Sequence, residues 1–538
     1  MSSAYPYVDF IGAVLLCLLL ILRARQDGSL VICMGPSSVA GLVFPASGLI
    51  AVFCGIDKGL AFFGFARLLC AGIFVILLMQ LSETGKERLF DLLVIAVASS
   101  ALICALMYPF PGARQLVFNS GRLGGFMQYS NTYALLLLIA YGLFFLRKSE
   151  TRYVGKLWLT IPLILSFGIL WTGSRSVFVL FLLLNLYFVI TLKPERKRLL
   201  TVLGLVFAVA LLCAFLLQER TGIGRFLTIS LRESTLIGRL LYWKDALPCL
   251  YKYPFGLGYM GYYSLQPLLQ TGVYVTRFVH NSYLQIAMDH GVLALGAFVF
   301  LLWRAFFHGD RRYRSLVVMM GLHFFFDFDT AFYSMVFVLL LFADWKGDLG
   351  AGRKARVKAL PVSLFACVAM LLFLWLGAAD YLYETEKYVL ADKIYPGCSA
   401  VMEGVMLGEK DLDKAAQMAE KIVAKNSYSG EAFKVLAYHY AGEEDCGKLM
   451  ESLDRYIALN KYDMQAYSEM IVLLDEETQR LAAKGDLSSA EQCRQKILSF
   501  PEKVRQVREE TSSLAYQIKD KPSFEVPEQI AKIILSYR

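Results

Sequence analysis

Residues 277–291, "RFVHNSYLQIAMDHG", put Arg277, His280, Asn281, Gln285 and Asp289 at the start of a long apolar run. Imidazole takes up and returns a proton near neutral pH, so His280 is the candidate general base. Three arginines elsewhere carry the planar fork that grips a phosphate through two parallel hydrogen bonds. Arg175 opens a hydrophobic helix in "WTGSRSVFVLFLLL", where free N–H groups and the helix dipole already favour an anion. Arg239 stands in "ESTLIGRLLYWKDALPCL", where it could share one interfacial helix with Trp243 and Asp245 ahead of the turn "PFGLG". Arg122 lies among glycines in "NSGRLGGFMQYSNTYALLLL", before Gln128 and Asn131. His323 and Asp327, in "GLHFFFDFDTAFYS", form a second polar pair.

An ionisable group inside a membrane span costs ~2.5–3.5 kcal/mol at mid-helix, which is why these residues are singled out. Each also has a plainer reading. His280 could be a helix cap, Arg175 an interfacial anchor, and the segment around Arg239 a structural loop. Arg225, Arg232 and Arg277 add positive charge to that segment. Its cations and aromatic faces suit an anionic, lipid-borne, sugar-bearing substrate. No group of His, Asp and Glu has a metal-ligand spacing, so neither metal nor cofactor is expected.

The elements that must position these residues are membrane helices. The chain of 538 residues is 57% hydrophobic and only 18% charged, against about a quarter in a soluble domain. Apolar runs at 8–23, 37–55, 60–81, 89–109, 131–146, 157–171, 175–192, 199–217, 283–303, 315–326, 331–344 and 359–377 predict twelve spans in an all-α, polytopic membrane protein. The first run lacks a basic flank before it and a small-residue cleavage site after it, and reads as a retained helix. The loops 147–156, 192–198, 304–314 and 346–358 are rich in Lys and Arg and are expected to face the cytoplasm. The loop 218–282 and everything after 378 then fall outside, as does the N-terminus.

Charge divides at the same boundary. Residues before 379 hold 33 basic and 17 acidic side chains, and those from 379 onward hold 21 and 28. The basic excess is loop charge and excludes a nucleic-acid partner. Cys17, Cys70 and Cys213 sit in apolar runs, whereas Cys249, Cys398, Cys446 and Cys493 would be external and free to pair. From 379 to 538 the pattern is that of amphipathic helices. At an offset of 34, Asn426 meets Asn460, Tyr428 meets Tyr462, Ala432 meets Ala466 and Phe433 meets Tyr467. That period predicts a tetratricopeptide-like soluble domain over 379–538, following a transmembrane domain over 1–378. Such a domain offers a concave surface to a partner or to a glycan, or is simply a lid over the external face.

Across residues 115–345 these stretches resemble, in order and spacing, the O-antigen ligase and polymerase superfamily of bacterial membrane glycosyltransferases. The resemblance rests on the Arg-Gly segment, the "GSRS" turn, Arg-x-x-x-Trp, Pro-x-Gly-x-Gly and a histidine opening the next helix. His280, Asn281 and Gly291 fit the ligase pattern of His, then Asn, then nine residues, then Gly. The family prefers Gly, Thr or Tyr three residues later, where this chain has Ala294, with Gly296 two further on.

The resemblance implies a GT-C-type enzyme of the bacterial cytoplasmic membrane. It would take a glycan from undecaprenyl diphosphate and transfer it, with inversion and without a metal, to a hydroxyl on a glycan, a lipid core or a protein. His280 would be the base, Arg175 and Arg239 would hold the diphosphate, and Arg122 would be a third candidate. Asn281, Trp243, Arg277, His323 and Asp327 are the supporting candidates, and polysaccharide-assembly proteins are the partners the resemblance implies for the C-terminal domain. A protein O-oligosaccharyltransferase and a transporter of lipid-linked sugars or polysaccharide remain the alternative readings.

Overall fold

The computed structural model describes residues 6–147, 157–217, 234–346 and 354–538. Arg225 and Arg232 lie outside the described residues. The described chain is overwhelmingly helical, and its apolar runs become helices. They begin with α1 (Pro6–Asp27), α2 (Pro36–Cys54), α3 (Lys58–Gln80), α4 (Glu83–Met107), α5 (Pro111–Val117), α6 (Ser130–Leu146), α7 (Leu157–Thr172), α8 (Arg175–Thr191) and α9 (Arg196–Leu217). The polar segment supplies α10 (Ser234–Ala246), α11 (Cys249–Lys252) and α12 (Gly261–Leu269). The apolar pattern then resumes in α13 (Ser282–Phe307), α14 (Arg314–Phe326), α15 (Tyr333–Phe342) and α16 (Ala359–Glu384).

Six helices, α1, α2, α3, α4, α13 and α16, have 19–26 residues and the hydropathy to cross a membrane. At about 1.5 Å per residue each matches a hydrocarbon core of roughly 30 Å. α8 and α9 meet at a bend of 106°. The remaining expected spans are shorter helices, of 17 residues in α6, 16 in α7, 13 in α14 and 10 in α15.

Charged residues of several loops meet at one end of this bundle. There Arg147 bonds Asp91 at 2.9 Å, Arg312 reaches Glu87 at 3.0 Å, and Lys86 donates to the Ala343 carbonyl at 3.2 Å. Residues from the basic loops expected to face the cytoplasm therefore gather at one end. A two-stranded pairing joins them there, with Ser29–Cys33 antiparallel to Lys354–Lys358. At the other end α6, α8 and α13 begin while α7 and α14 finish, and this is where the candidate residues lie.

Gly291 interrupts α13 with φ 85° and ψ 173°. A break frees backbone groups that must find other partners. The turn at 254–257 supplies them. Leu257 N–H donates to the Met288 carbonyl at 2.6 Å, and Val292 N–H donates to the Pro254 carbonyl at 2.8 Å.

Beyond α16 the chain forms α17 (Tyr388–Ile394), α18 (Ser399–Leu407), α19 (Leu412–Lys425), α20 (Gly430–Gly442), α21 (Cys446–Leu459), α22 (Met464–Lys484), α23 (Leu487–Glu510) and α24 (Glu528–Ser536). From Met402 onward these helices share a core that includes Ala432, Leu453, Ala466 and Phe500, whereas Ala391 of α17 and Val401 of α18 pack in one cluster with α1, α3 and α16. The 34-residue offset lands on equivalent places: Asn426 and Asn460 close α19 and α21, and Ala432 and Ala466 are buried near the starts of α20 and α22. Cys249, Cys398, Cys446 and Cys493 are free thiols.

Candidate active site

The site is organised around Asp327, which leaves α14 as its C-terminal cap and is fully buried. One carboxylate oxygen accepts from the Tyr129 hydroxyl at 2.8 Å, from its neighbour's Phe328 N–H at 3.0 Å and from His280 Nδ1 at 3.2 Å. The other accepts from Asn131 Nδ2 at 2.7 Å and from Arg239 Nη2 at 3.1 Å. Burial works to raise this carboxyl, but the Arg239 guanidinium, then the hydrogen bond from His280, hold it well below the usual carboxylate range. Tyr129 is pushed the other way. Burial, reinforced by the charge of Asp327, keeps its phenol protonated and donating.

A carboxylate can only accept, so its contact fixes a proton on His280 Nδ1 and leaves Nε2 as the ring's acceptor. His280 lies ahead of α13 and not on its face. The helix begins at Ser282, with Asn281 as its cap accepting from Leu284 N–H at 3.0 Å. His280 itself has a left-handed φ of 53°, a conformation uncommon outside glycine. Several groups hold it there. Trp243 Nε1 donates to the Val279 and His280 carbonyls, Gln285 accepts from Val279 N–H, and the Phe328 ring packs edge-on against the imidazole at 4.8 Å. The imidazole remains 24% exposed and Arg239 17% exposed, so both are reachable beside a carboxylate that is not.

Arg239, Trp243 and Asp245 do share one helix, α10. Arg239 and Trp243, four residues apart, face the Asp327 cluster. Asp245 turns away to accept from Thr271 and Tyr274. Arg122 faces inward, donating to the Thr172 carbonyl at 2.8 Å and to Asn131 Oδ1 at 2.8 Å. Through these bonds it braces the turn that carries Arg175 to the Asn131–Asp327 contact. Arg175 is the first residue of α8, next to the capping Ser174, and is half-buried. Arg277 is exposed, within electrostatic reach of Glu384 on α16.

His323 and Asp327 are not a pair. His323 Nδ1 bonds Asp329 Oδ2 at 2.7 Å, and its Nε2 meets the Ser176 hydroxyl at 3.1 Å. Thr132 donates to the other Asp329 oxygen at 2.7 Å. The side chain of Asp327 leaves α14 and joins the opposite group, with His280 and Arg239, so sequence proximity gave the wrong partner. The Asp329–His323–Ser176 chain braces the residue after Arg175.

Arg67 was missed by the sequence reading. It is buried in α3, pairs with Asp9 of α1 at 2.7 Å, donates to the Ala331 carbonyl at 2.8 Å and lies over the Tyr259 and Tyr333 rings. It thereby supports the 327–331 connection from beneath. A lone arginine inside "AFFGFARLLCAGIF" is an ionisable group in an apolar run, and that signal alone could have found it. In the tail, Asp413, His439 and Glu443 bring one ligand atom each within 4.8 Å of one another, a grouping that spans two helices and that linear spacing does not display.

A histidine with its acceptor nitrogen open, an arginine beside it and a buried carboxylate tying the two together can take a proton next to a bound anion. Residues 159–299, 141 of the 538, match the family model described as O-antigen ligase. Over that segment the chain is similar to the O-antigen ligase family. The matched O-antigen ligase segment runs from α7 into α13 and holds Arg175, Arg239, His280, Asn281 and Gly291. Asp327 and Arg122 lie outside it. No curated protein and no solved structure matches the chain.

Proposed function

We propose that this protein transfers a glycan from undecaprenyl diphosphate to an acceptor hydroxyl at the outer face of the bacterial cytoplasmic membrane, with inversion and without a metal. The observation that carries the reading is the shared carboxylate, which orients the His280 base and holds Arg239 within one site. The acceptor O–H gives its proton to His280 Nε2 as its oxygen forms a bond to the anomeric carbon. The bond from that carbon to the diphosphate breaks, and the leaving oxygen keeps the electron pair. Arg239 and Arg175 offset the charge that develops on it, as positioned donors do for other oxyanions. The tail, a tetratricopeptide-like domain in this reading, lies on the same outer side.

The test uses a strain lacking the gene, complemented with wild type or with His280→Ala at matched membrane abundance. General-base removal costs about 10²–10⁴-fold in rate. The variant should therefore accumulate lipid-linked glycan and lose surface polymer, read by gel and mass spectrometry of both fractions. Single lipid-linked repeat units would identify a polymerase. Full-length lipid-linked polymer would identify a ligase or a protein transferase. Normal polymer with His280→Ala would remove His280 from the mechanism, and normal polymer without the gene would remove the function itself.

A further inference from the structure

The helix that carries Arg239 has two working faces. Arg239 and Trp243 look toward the Asp327 cluster. Ile237 and Leu241, also four residues apart, are buried against Ala515 and Ile518 of the C-terminal tail, with Tyr274 completing the cluster. Leu241 and Ala515 are fully buried there and Ile518 is 6% exposed, so this is a dry, packed contact. Polar contacts fasten the same segment. Lys519 N–H donates to the Ser234 hydroxyl at 2.7 Å, and Lys244 Nζ donates to the Ser512 hydroxyl at 3.1 Å. Ser512 N–H donates to the Thr271 carbonyl at 2.8 Å, and Thr271 is in turn held by Asp245 of α10 at 2.7 Å. The backbones meet closely as well, since a Cβ on Gly272 would lie 2.7 Å from the Ala515 Cβ.

We propose that residues 512–519 are a strap that presses α10 against the Asp327 cluster, and that Ile518 and Ser512 are positioning residues acting through Arg239. This inference rests on the proposed transfer reaction. The physical argument is that a helix of 13 residues is marginal by itself in water and takes its stability from packing. With one face on the site and the other on the strap, the guanidinium keeps its place only while both contacts hold. The tail is thus a structural part of the donor site as well as any surface it offers to partners.

The test compares Ile518→Asp and Ile518→Val in the purified full-length chain, assayed with an undecaprenyl diphosphate-linked glycan. Ile518→Asp puts a charge into the dry contact and is expected to raise the donor KM about tenfold, while Ile518→Val keeps wild-type values. Because the strap acts through Arg239, Ile518→Asp should add little to the donor KM already raised by Arg239→Ala. Fully additive effects would overturn the proposal. Should Ile518→Asp fail to accumulate, Ser234→Ala with Lys244→Met removes two of the polar fastenings and leaves the apolar cluster in place. That variant is expected to show the same direction of change, and an unchanged donor KM would count against the strap.

Amide exchange of peptides covering 234–246 reads the strap without any reaction. Faster exchange, by about tenfold, is expected in the weakened variants. Unchanged exchange there overturns the strap even if the transfer reaction stands, and an inactive wild type overturns the transfer reading while leaving the exchange result to decide the strap.

Discussion

Asp327→Ala should abolish transfer and lower stability together. The carboxylate is fully buried and receives five donors, among them Arg239 and His280. Removing one partner of a buried charge pair leaves the other uncompensated, at a cost of about 3–5 kcal/mol. The catalytic loss has a second origin. Without an acceptor opposite Nδ1, the imidazole is free to place its proton on Nε2, where a base must have none. In hydrolases with a carboxylate-oriented histidine the corresponding change costs about 10⁴-fold, and a loss of that order is expected here.

Asp327→Asn separates the two effects. It keeps the shape, so the protein should reach the membrane at near-normal abundance, while the amide offers one acceptor in place of two and transfer stays low. Transfer within a few-fold of wild type in Asp327→Asn would show that the carboxylate only packs. The sign of the pH dependence follows from the depressed carboxyl. Its stabilising effect is complete above the unfolded value of about 3.9 and is lost only as pH falls through the much lower folded value. Melting temperatures of Asp327→Ala and wild type should therefore differ by the same amount at pH 6 and pH 8. A gap that closes between those two values would mean that Asp327 is not held as the charged form.

What could be read from the sequence was whatever is local. Arg175 after "TGS", Arg239 four residues before Trp243, and His280 beside Asn281 all stand out against apolar surroundings, and the structure brings Arg239, Trp243 and His280 to one cluster. The hub was seen but mispaired. Asp327 and His323 are four residues apart, which on a helix means one face, but the helix ends at Phe326 and the carboxylate swings to partners 47, 88 and 196 residues away in sequence. No periodicity encodes such contacts. The resemblance has His280 opening the helix, whereas the cap at Asn281 starts it at Ser282. The 34-residue offset in the tail is legible because amphipathic spacing is local, whereas the contact with α10 is not, because Ile518 and Leu241 have no shared pattern. Arg67 obeyed the rule that singled out the other cations and was passed over because its run is otherwise so apolar.

Gly291→Ala is the second large expected effect. Its φ of 85° and ψ of 173° fall in a region that is nearly exclusive to glycine, and a side chain forced into it costs about 1–3 kcal/mol. Space is refused as well. A Cβ there would lie 2.7 Å from the Phe255 carbonyl carbon, 2.8 Å from the Pro254 oxygen and 2.9 Å from the Phe255 Cα, all of them backbone atoms that cannot rotate away. Relief requires the 254–257 turn to move off α13, and that breaks the two hydrogen bonds which satisfy the freed Met288 carbonyl and Val292 N–H. The half of α13 before the break carries Asn281 and Gln285, which set the backbone under His280, so the loss reaches the base from eleven positions away. Gly296→Ala is the matched control on the same helix, because a Cβ there meets nothing within 4 Å and alanine is the better helix former by about 1 kcal/mol. The expected result in detergent is a lowered melting temperature and reduced transfer for Gly291→Ala, beside an unchanged or raised melting temperature and full transfer for Gly296→Ala. Equal behaviour of the two variants would mean that the break in α13 does not support the site.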